Sequence, residues 1–142
     1  MILVDSNLLL YAHDTSSEFH SPARLWWDAQ LSGSDPVCLS WPVLSGFIRI
    51  ATNARVHRRP MSVQEATDRI QGWLDQPCVR VVVPTEQHWE IFRGLLRESN
   101  AVGNLVYDAH LAALAVEHNC ELHSSDQDFA RFRGLKWKNP LR

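Results

Sequence analysis

Short apolar runs alternating with helical segments predict an α/β domain on a mainly parallel central sheet of four or five strands. Three observations carry this reading. The runs "ILV" at 2–4, "VCL" at 37–39, "VRVVV" at 79–83 and "CELHS" at 120–124 have the length and apolar bias of strands buried on both faces, and "LKWK" at 135–138 is a weaker fifth. Helical patterns lie between them, as parallel strands require crossovers. No repeat, low-complexity tract or linker breaks the 142 residues, so the chain reads as one domain, 1–142.

Each helix follows from local chemistry. After the first strand, Asp5, Ser6 or Asn7 can cap the run "LLLYA". Ser21 can cap a helix with Pro22 at its first position, and Ala23, Trp26, Trp27 and Gln30 then share a face. Pro42 opens the next helix through Val43, Leu44, Phe47, Ile48 and Ala51. Ser62 and Glu65 have capping-box spacing, with Val63, Ala66, Ile70, Trp73 and Leu74 behind them. Thr85 is the expected cap of a helix whose inner face carries Trp89, Phe92, Leu95 and Leu96. The stretch "VYDAHLAALAVEH", 106–118, is apolar and Ala-rich nearly all round, as a helix pressed closely on its neighbours is.

Bulk composition bounds the function classes. Hydrophobic residues make up 45% and charged residues 21%, ordinary for a globular protein. A net charge of −2 argues against a generally basic nucleic-acid binder, although Arg49, Arg55, Arg58 and Arg59 form one basic segment and the C-terminal end another. Cys38, Cys78 and Cys120 lack paired spacing and sit at or beside predicted strands, so buried free thiols are expected. No signal peptide or membrane-spanning run is visible, which predicts a cytoplasmic chain.

Open parallel sheets place their sites outside the carboxyl ends of the strands. Asp5 stands at such an end, and Asp126 lies just beyond another. Asp108 falls near the start of the Ala-rich helix. Each also has an ordinary role: Asp5 or Asn7 as a helix cap, Asp108 as a first-turn acid, Asp126 or Asp128 as a cap of the short helix "FARF". If the three carboxylates converge, they must bind a proton or a cation, and all-oxygen ligation suits Mg²⁺, with Mn²⁺ as a substitute. The chain has no paired-Cys pattern and no H-E-x-x-H, which disfavours zinc. It has no nucleotide-binding Gly-rich loop and no nucleophile elbow. His110 follows Asp108 by two positions and points away from it, while His13, His57 and His123 have no obvious partner.

These residues resemble the PIN-domain nucleases, in particular the VapC-type toxins of toxin–antitoxin pairs. The matching stretches are "LVDSN" at 3–7, "FIRIATNARV" at 47–56, "GNLVYDAHLAALA" at 103–115, "SSDQDFARF" at 124–132 and a closing "GLKWKNPL", in order along essentially the whole chain. The resemblance implies a three-layer α/β/α fold and Mg²⁺-dependent endoribonuclease activity on structured RNA such as tRNA or rRNA. It also implies a homodimer inhibited by a small cognate antitoxin. Carried over to these positions, it implies that Asp5 and Asp108 are the main metal ligands and that Asp126 completes the pocket directly or through water. Asp128 would serve a second metal or the first. Asn7 and Ser124 match polar positions that orient the ligands.

One position departs from the pattern. Where the family usually has a Glu, near "SWPVLSGF", this chain has Gly46, with Ser45 before it. A glycine inside a helix costs roughly 0.5–1 kcal/mol against Ala, so close approach or local room is expected there. The loss keeps an alternative open: a catalytically silent PIN-like scaffold that binds RNA or protein. A DNA-directed nuclease of the same chemistry is a third reading. The segment "TNARVHRR" offers Arg49, Arg55, Arg58 and Arg59 to RNA phosphates, or is a solvated loop or an antitoxin-docking surface. Arg49 could instead pair with an acid of the pocket. The Trp residues read mainly as core, with Trp41 and Trp137 less placed.

Overall fold

Five strands, none longer than three residues, lie side by side and all parallel in a computed structural model describing residues 1–142. They are β1 (Ile2–Val4), β2 (Val37–Leu39), β3 (Val79–Val81), β4 (Glu121–His123) and β5 (Trp137–Lys138). Their spatial order is β3-β2-β1-β4-β5. The chain therefore walks outward from β1 to β3, returns, and continues on the other side of β1. The helices are α1 (Ser6–His13), α2 (His20–Ser32), α3 (Trp41–Ala51), α4 (Val63–Leu74), α5 (His88–Ser99) and α6 (Asn104–Glu117), with a 3₁₀ turn at Gln127–Arg131. Right-handed crossovers put α1–α4 on one face of the sheet and α5 and α6 on the other. This is the three-layer α/β/α arrangement, with one continuous core of 29 buried residues.

The expected strands at 2–4 and 37–39 form as read, and the other three form within shorter limits. Ser40 caps α3 with Pro42 in its first turn, and the Ser62 hydroxyl accepts from the Glu65 backbone N–H at 3.0 Å. The Ala-rich stretch becomes α6, in which Ala109, Ala112, Ala113 and Ala115 are fully buried. Their small side chains let this helix lie close against the rest of the core. Trp27 and Trp73 pack edge to face, 5.6 Å between ring centroids. The three cysteines are free and buried.

Four expectations are corrected. Ser21 does not cap α2, which begins at His20 with Phe19 before it, leaving Pro22 third in the helix. The cause is tertiary: Phe19 packs on Tyr11 at 5.0 Å, and His20 Nδ1 meets the Tyr11 carbonyl at 2.9 Å. Proline is still tolerated there because first-turn N–H groups lack helical partners. Thr85 does not cap α5 either. Its hydroxyl accepts from Gln87 N in a turn before the helix, and its own N–H donates to Glu117 at 2.7 Å. Trp89 is 61% exposed rather than on an inner face, and Val63 also faces out. Finally, two of the three histidines read as partnerless have partners: His123 lies 2.8 Å from Glu121, and His57 lies 3.8 Å from Asp14.

Candidate metal centre

The strand order creates a topological switch point between β1 and β4, where successive crossovers leave in opposite directions and a crevice opens at the carboxyl ends. Asp5 directly follows β1, while Ser124 and then Asp126 follow β4. Asp5 is also the helix cap that local chemistry allowed. Its Oδ1 accepts from Ser6 N at 2.7 Å, and its Oδ2 accepts from the Ser124 hydroxyl at 2.7 Å. The two readings of this residue are not exclusive, because a carboxylate has about four lone-pair sites and these bonds use only part of them.

Ser124 is fully buried and uses its whole hydrogen-bonding capacity. Its hydroxyl donates to Asp5 and accepts from Asn7 Nδ2 at 3.2 Å and from Asp126 N at 3.1 Å. One side chain thus ties the ends of β1 and β4 together. Asn7 Oδ1 is buried without a partner. Asp126 caps the 3₁₀ turn, its Oδ1 accepting from Asp128 N at 2.9 Å, so both carboxylates are held on one tight turn. Asp108 comes from α6, in its second turn rather than the first, which removes the simple dipole explanation of that residue.

Asp108, Asp126 and Asp128 each place a carboxylate oxygen within 4.8 Å of the other two. Two oxygens on one Mg²⁺ at ~2.1 Å each lie up to about 4.2 Å apart, so small adjustments bring this trio into range of a common ion. The donor set is hard and all oxygen, as Mg²⁺ or Mn²⁺ requires. Asp5 lies outside the tightest trio but shares its field. Burial is the main influence raising the Asp108 pKa to about 6, followed by the charges of Asp126, Asp5 and Asp128, with Arg131 opposing. The Asp5 pKa is likewise raised, chiefly by burial, against the pull of its Ser124 and Ser6 hydrogen bonds. Four carboxylates therefore occupy one pocket, with Asp5 deepest and Asp128 most exposed. Sequence reasoning placed Asp128 in a supporting role; the geometry puts it beside Asp108 and Asp126.

Gly46 borders the same pocket. A Cβ built there meets only Ser6 Oγ at 3.9 Å and the Tyr107 hydroxyl at 4.0 Å, ordinary contacts. The glycine leaves room rather than permitting a close backbone approach. The arginines divide. Arg49 is exposed on α3, one turn beyond Gly46, and pairs with no carboxylate. Arg58 and Arg59 instead line a separate cleft of about 480 Å³ with Leu10, His13, Asp14 and Met61. That cleft sits at the far ends of α1 and α3, about 12 Å of helix from Asp5 at ~1.5 Å per residue. Arg55 is exposed on the same loop. Another cleft, about 710 Å³ between α1, α2 and α4, contains none of the four acids.

One polar cluster escaped the sequence. The fully buried Glu117 side chain meets His88 Nδ1 at 2.6 Å, and His88 Nε2 lies 3.0 Å from His110 Nδ1. His110 points away from Asp108 as expected, onto α5. Its partner His88 is 22 residues away in sequence, and Glu117 is 29 residues from His88, so no local signal marks the cluster. No helix is long and apolar enough to cross a membrane.

Comparison with known proteins agrees with this architecture. The PIN domain profile matches residues 2–135. Ribonuclease VapC37 of Mycobacterium tuberculosis is 44% identical over 140 residues, covering 99% of this chain and 97% of that protein. Among solved structures, VapBC-1 from nontypeable Haemophilus influenzae superposes with a TM-score of 0.70 at 20% identity, over all of both chains. The M. tuberculosis VapC20 structure, described as a sarcin-ricin loop cleaving toxin, gives 0.66 at 20% identity, over 96% of this chain and 99% of that one. At such identities the structural likeness speaks for the fold, while the sequence match speaks for kinship. The switch-point carboxylates, the sheet order and a match spanning nearly the whole length have one common explanation: this chain belongs to the PIN-domain family, among its VapC proteins.

Proposed function

We propose that this protein is a divalent-metal-dependent endoribonuclease, the toxin of a toxin–antitoxin pair, hydrolysing phosphodiester bonds in structured RNA such as tRNA or rRNA. The observation that carries the reading is the convergence of Asp108, Asp126 and Asp128 within 4.8 Å at the β1/β4 switch point, backed by buried Asp5. The name of VapC37 and the description of VapC20 support RNA as the substrate class. The VapBC assemblies among the structural relatives support a small cognate antitoxin as partner. A homodimer is part of the same proposal.

Asp108, Asp126 and Asp128 would hold Mg²⁺ or Mn²⁺, with Asp5 as the innermost ligand or charge. A bound cation supplies a lowered pKa for water and neutralises charge on the phosphodiester. The chain's own residues do the positioning. Ser124 holds the Asp5 carboxylate and the Asp126 backbone in one register, and Asn7 holds Ser124. Fixed oxygens avoid reorganisation as charge develops on the substrate. Asp108, whose pKa is raised to about 6 without a cation, would be held in its ionised form by one. Arg49, exposed on α3 one turn beyond Gly46, is assigned to RNA phosphate, whereas Arg58 and Arg59 would meet only RNA that extends past α3.

The test is cleavage of tRNA and rRNA with Mg²⁺, with Mn²⁺ and with EDTA, alongside calorimetric titration of the cation. Asp5→Asn and Asp108→Asn are expected to lower cleavage by at least about a hundredfold while circular dichroism stays unchanged, since the carboxylates act on charge and not on the core. Undiminished cleavage in EDTA or in both variants refutes the proposal. Gly46 favours a second reading, a catalytically silent RNA- or protein-binding scaffold, because the pocket lacks one acid there. RNA binding without cation binding or cleavage selects it.

A further inference from the structure

The wall of the pocket formed by α3 and α6 is chemically unlike the rest. Around the recess at Gly46 stand two hydroxyls, Ser6 Oγ and the Tyr107 phenol. Tyr107 directly precedes Asp108 and is 46% exposed. Its hydroxyl forms no hydrogen bond within the chain, although carboxylates lie nearby. Arg49 follows Gly46 by three residues along α3, exposed and unpaired.

An RNA phosphodiester entering a pocket of four carboxylates is repelled unless donors and positive charge face it from the open side. Arginine offers five donors and no acceptor, and a neutral phenol offers one donor. A phenol, with an ordinary pKa of about 10, keeps its proton at neutral pH and so remains a donor. A half-exposed aromatic residue with an unused donor is poorly explained by packing. A cation alone would not use it, since a protonated phenol is a poor ligand.

We propose that Tyr107 is a substrate-binding residue: its hydroxyl, beside the Arg49 guanidinium, donates to a non-bridging oxygen of an RNA phosphodiester seated in the recess that Gly46 leaves open. This rests on the ribonuclease reading and extends it from the metal side of the pocket to the phosphate side. The recess matters because a side chain at Gly46 would project toward the Tyr107 hydroxyl and occupy the place of the phosphate oxygen.

The test compares the unsubstituted protein with Tyr107→Phe, Tyr107→Leu, Arg49→Gln and Gly46→Ala. Affinity for a short fluorescein-labelled mixed-sequence RNA is read by anisotropy in EDTA, and cleavage kinetics and calorimetric Mn²⁺ affinity are read separately. Tyr107→Phe and Arg49→Gln are each expected to weaken RNA binding and kcat/KM by about tenfold, the size of a hydrogen bond to a charged group, with Mn²⁺ affinity within about twofold. Gly46→Ala is expected to weaken RNA binding while thermal stability stays the same or rises, since Ala favours the helix. Tyr107→Phe indistinguishable from the unsubstituted protein overturns the proposal, and if Tyr107→Leu alone is then impaired, the ring stacks on a base instead. A fall in Mn²⁺ affinity equal to the fall in RNA affinity also overturns it, by moving Tyr107 to the metal side. Absence of RNA binding by the unsubstituted protein overturns it as well. A protein that binds RNA through Tyr107 but does not cleave it upholds this inference while refuting the ribonuclease reading.

Discussion

At the scale of single residues, the acidic pocket is maintained at the expense of stability, and the sign of that cost can be measured. The Asp108 pKa is raised to about 6 by burial and by Asp126, Asp5 and Asp128, against an ordinary unfolded value near 3.9. The folded state therefore binds this proton more tightly than the unfolded state does. The penalty is complete above about pH 6 and disappears as pH falls toward 4. In metal-free protein, Asp108→Asn is expected to be more stable than the unsubstituted chain at pH 7.5. The shift, discounted for partial solvation, corresponds to about 1–2 kcal/mol. Urea melts across pH 7.5 to 4.5 check this, the gap closing toward the acid end. A constant gap, or one of opposite sign, shows that neither burial nor the neighbouring carboxylates raise the Asp108 pKa. Asp5, Asp126 and Asp128 were legible as individuals because each lies at a strand end or on a turn. Which oxygens lie closest was not, since that depends on how α6 meets the turn after β4.

At the scale of elements, legibility followed the range of the interaction. Ser62 capping α4 was readable because donor and acceptor lie three residues apart. Ser21 and Thr85 have equally good local chemistry, yet contacts with Tyr11 and Glu117 moved the helix starts away from them. Glu117 braces α6 against the entry to α5, accepting from Thr85 N at 2.7 Å and contacting His88 at 2.6 Å. Glu117→Ala would leave the largely buried His88 imidazole without its partner and hand the exposed Thr85 N–H to water. It is expected to cost roughly 1–3 kcal/mol, read by chemical denaturation. Loss of less than about 0.5 kcal/mol would show that water replaces the carboxylate. Trp89 was misplaced for a related reason: its helix face was inferred from periodicity, but the contacts of α5 with α6 run through Phe92 and Leu95 instead.

At the scale of the molecule, α6 couples the core to the site. It buries Ala112 and Ala113 fully and carries Asp108 one turn earlier. Ala112→Leu adds volume where there is none to spare and is expected to cost about 1–3 kcal/mol. It should also weaken Mn²⁺ binding, because a displaced α6 takes Asp108 away from Asp126 and Asp128. Denaturation and calorimetry on one sample test the coupling, and destabilisation with unchanged cation affinity would break it. The sequence by itself determined the alternation of strands and helices, most helix starts and the candidacy of each acid, because these depend on residues within a few positions of one another. Only the tertiary structure decided that Asp128 joins Asp108 and Asp126 within 4.8 Å, that Ser124 links Asp5 to Asp126, and that Arg58 and Arg59 face a different cleft. Those relations are set by the order β3-β2-β1-β4-β5, which brings residues more than a hundred positions apart to one crevice through contacts that no local pattern encodes.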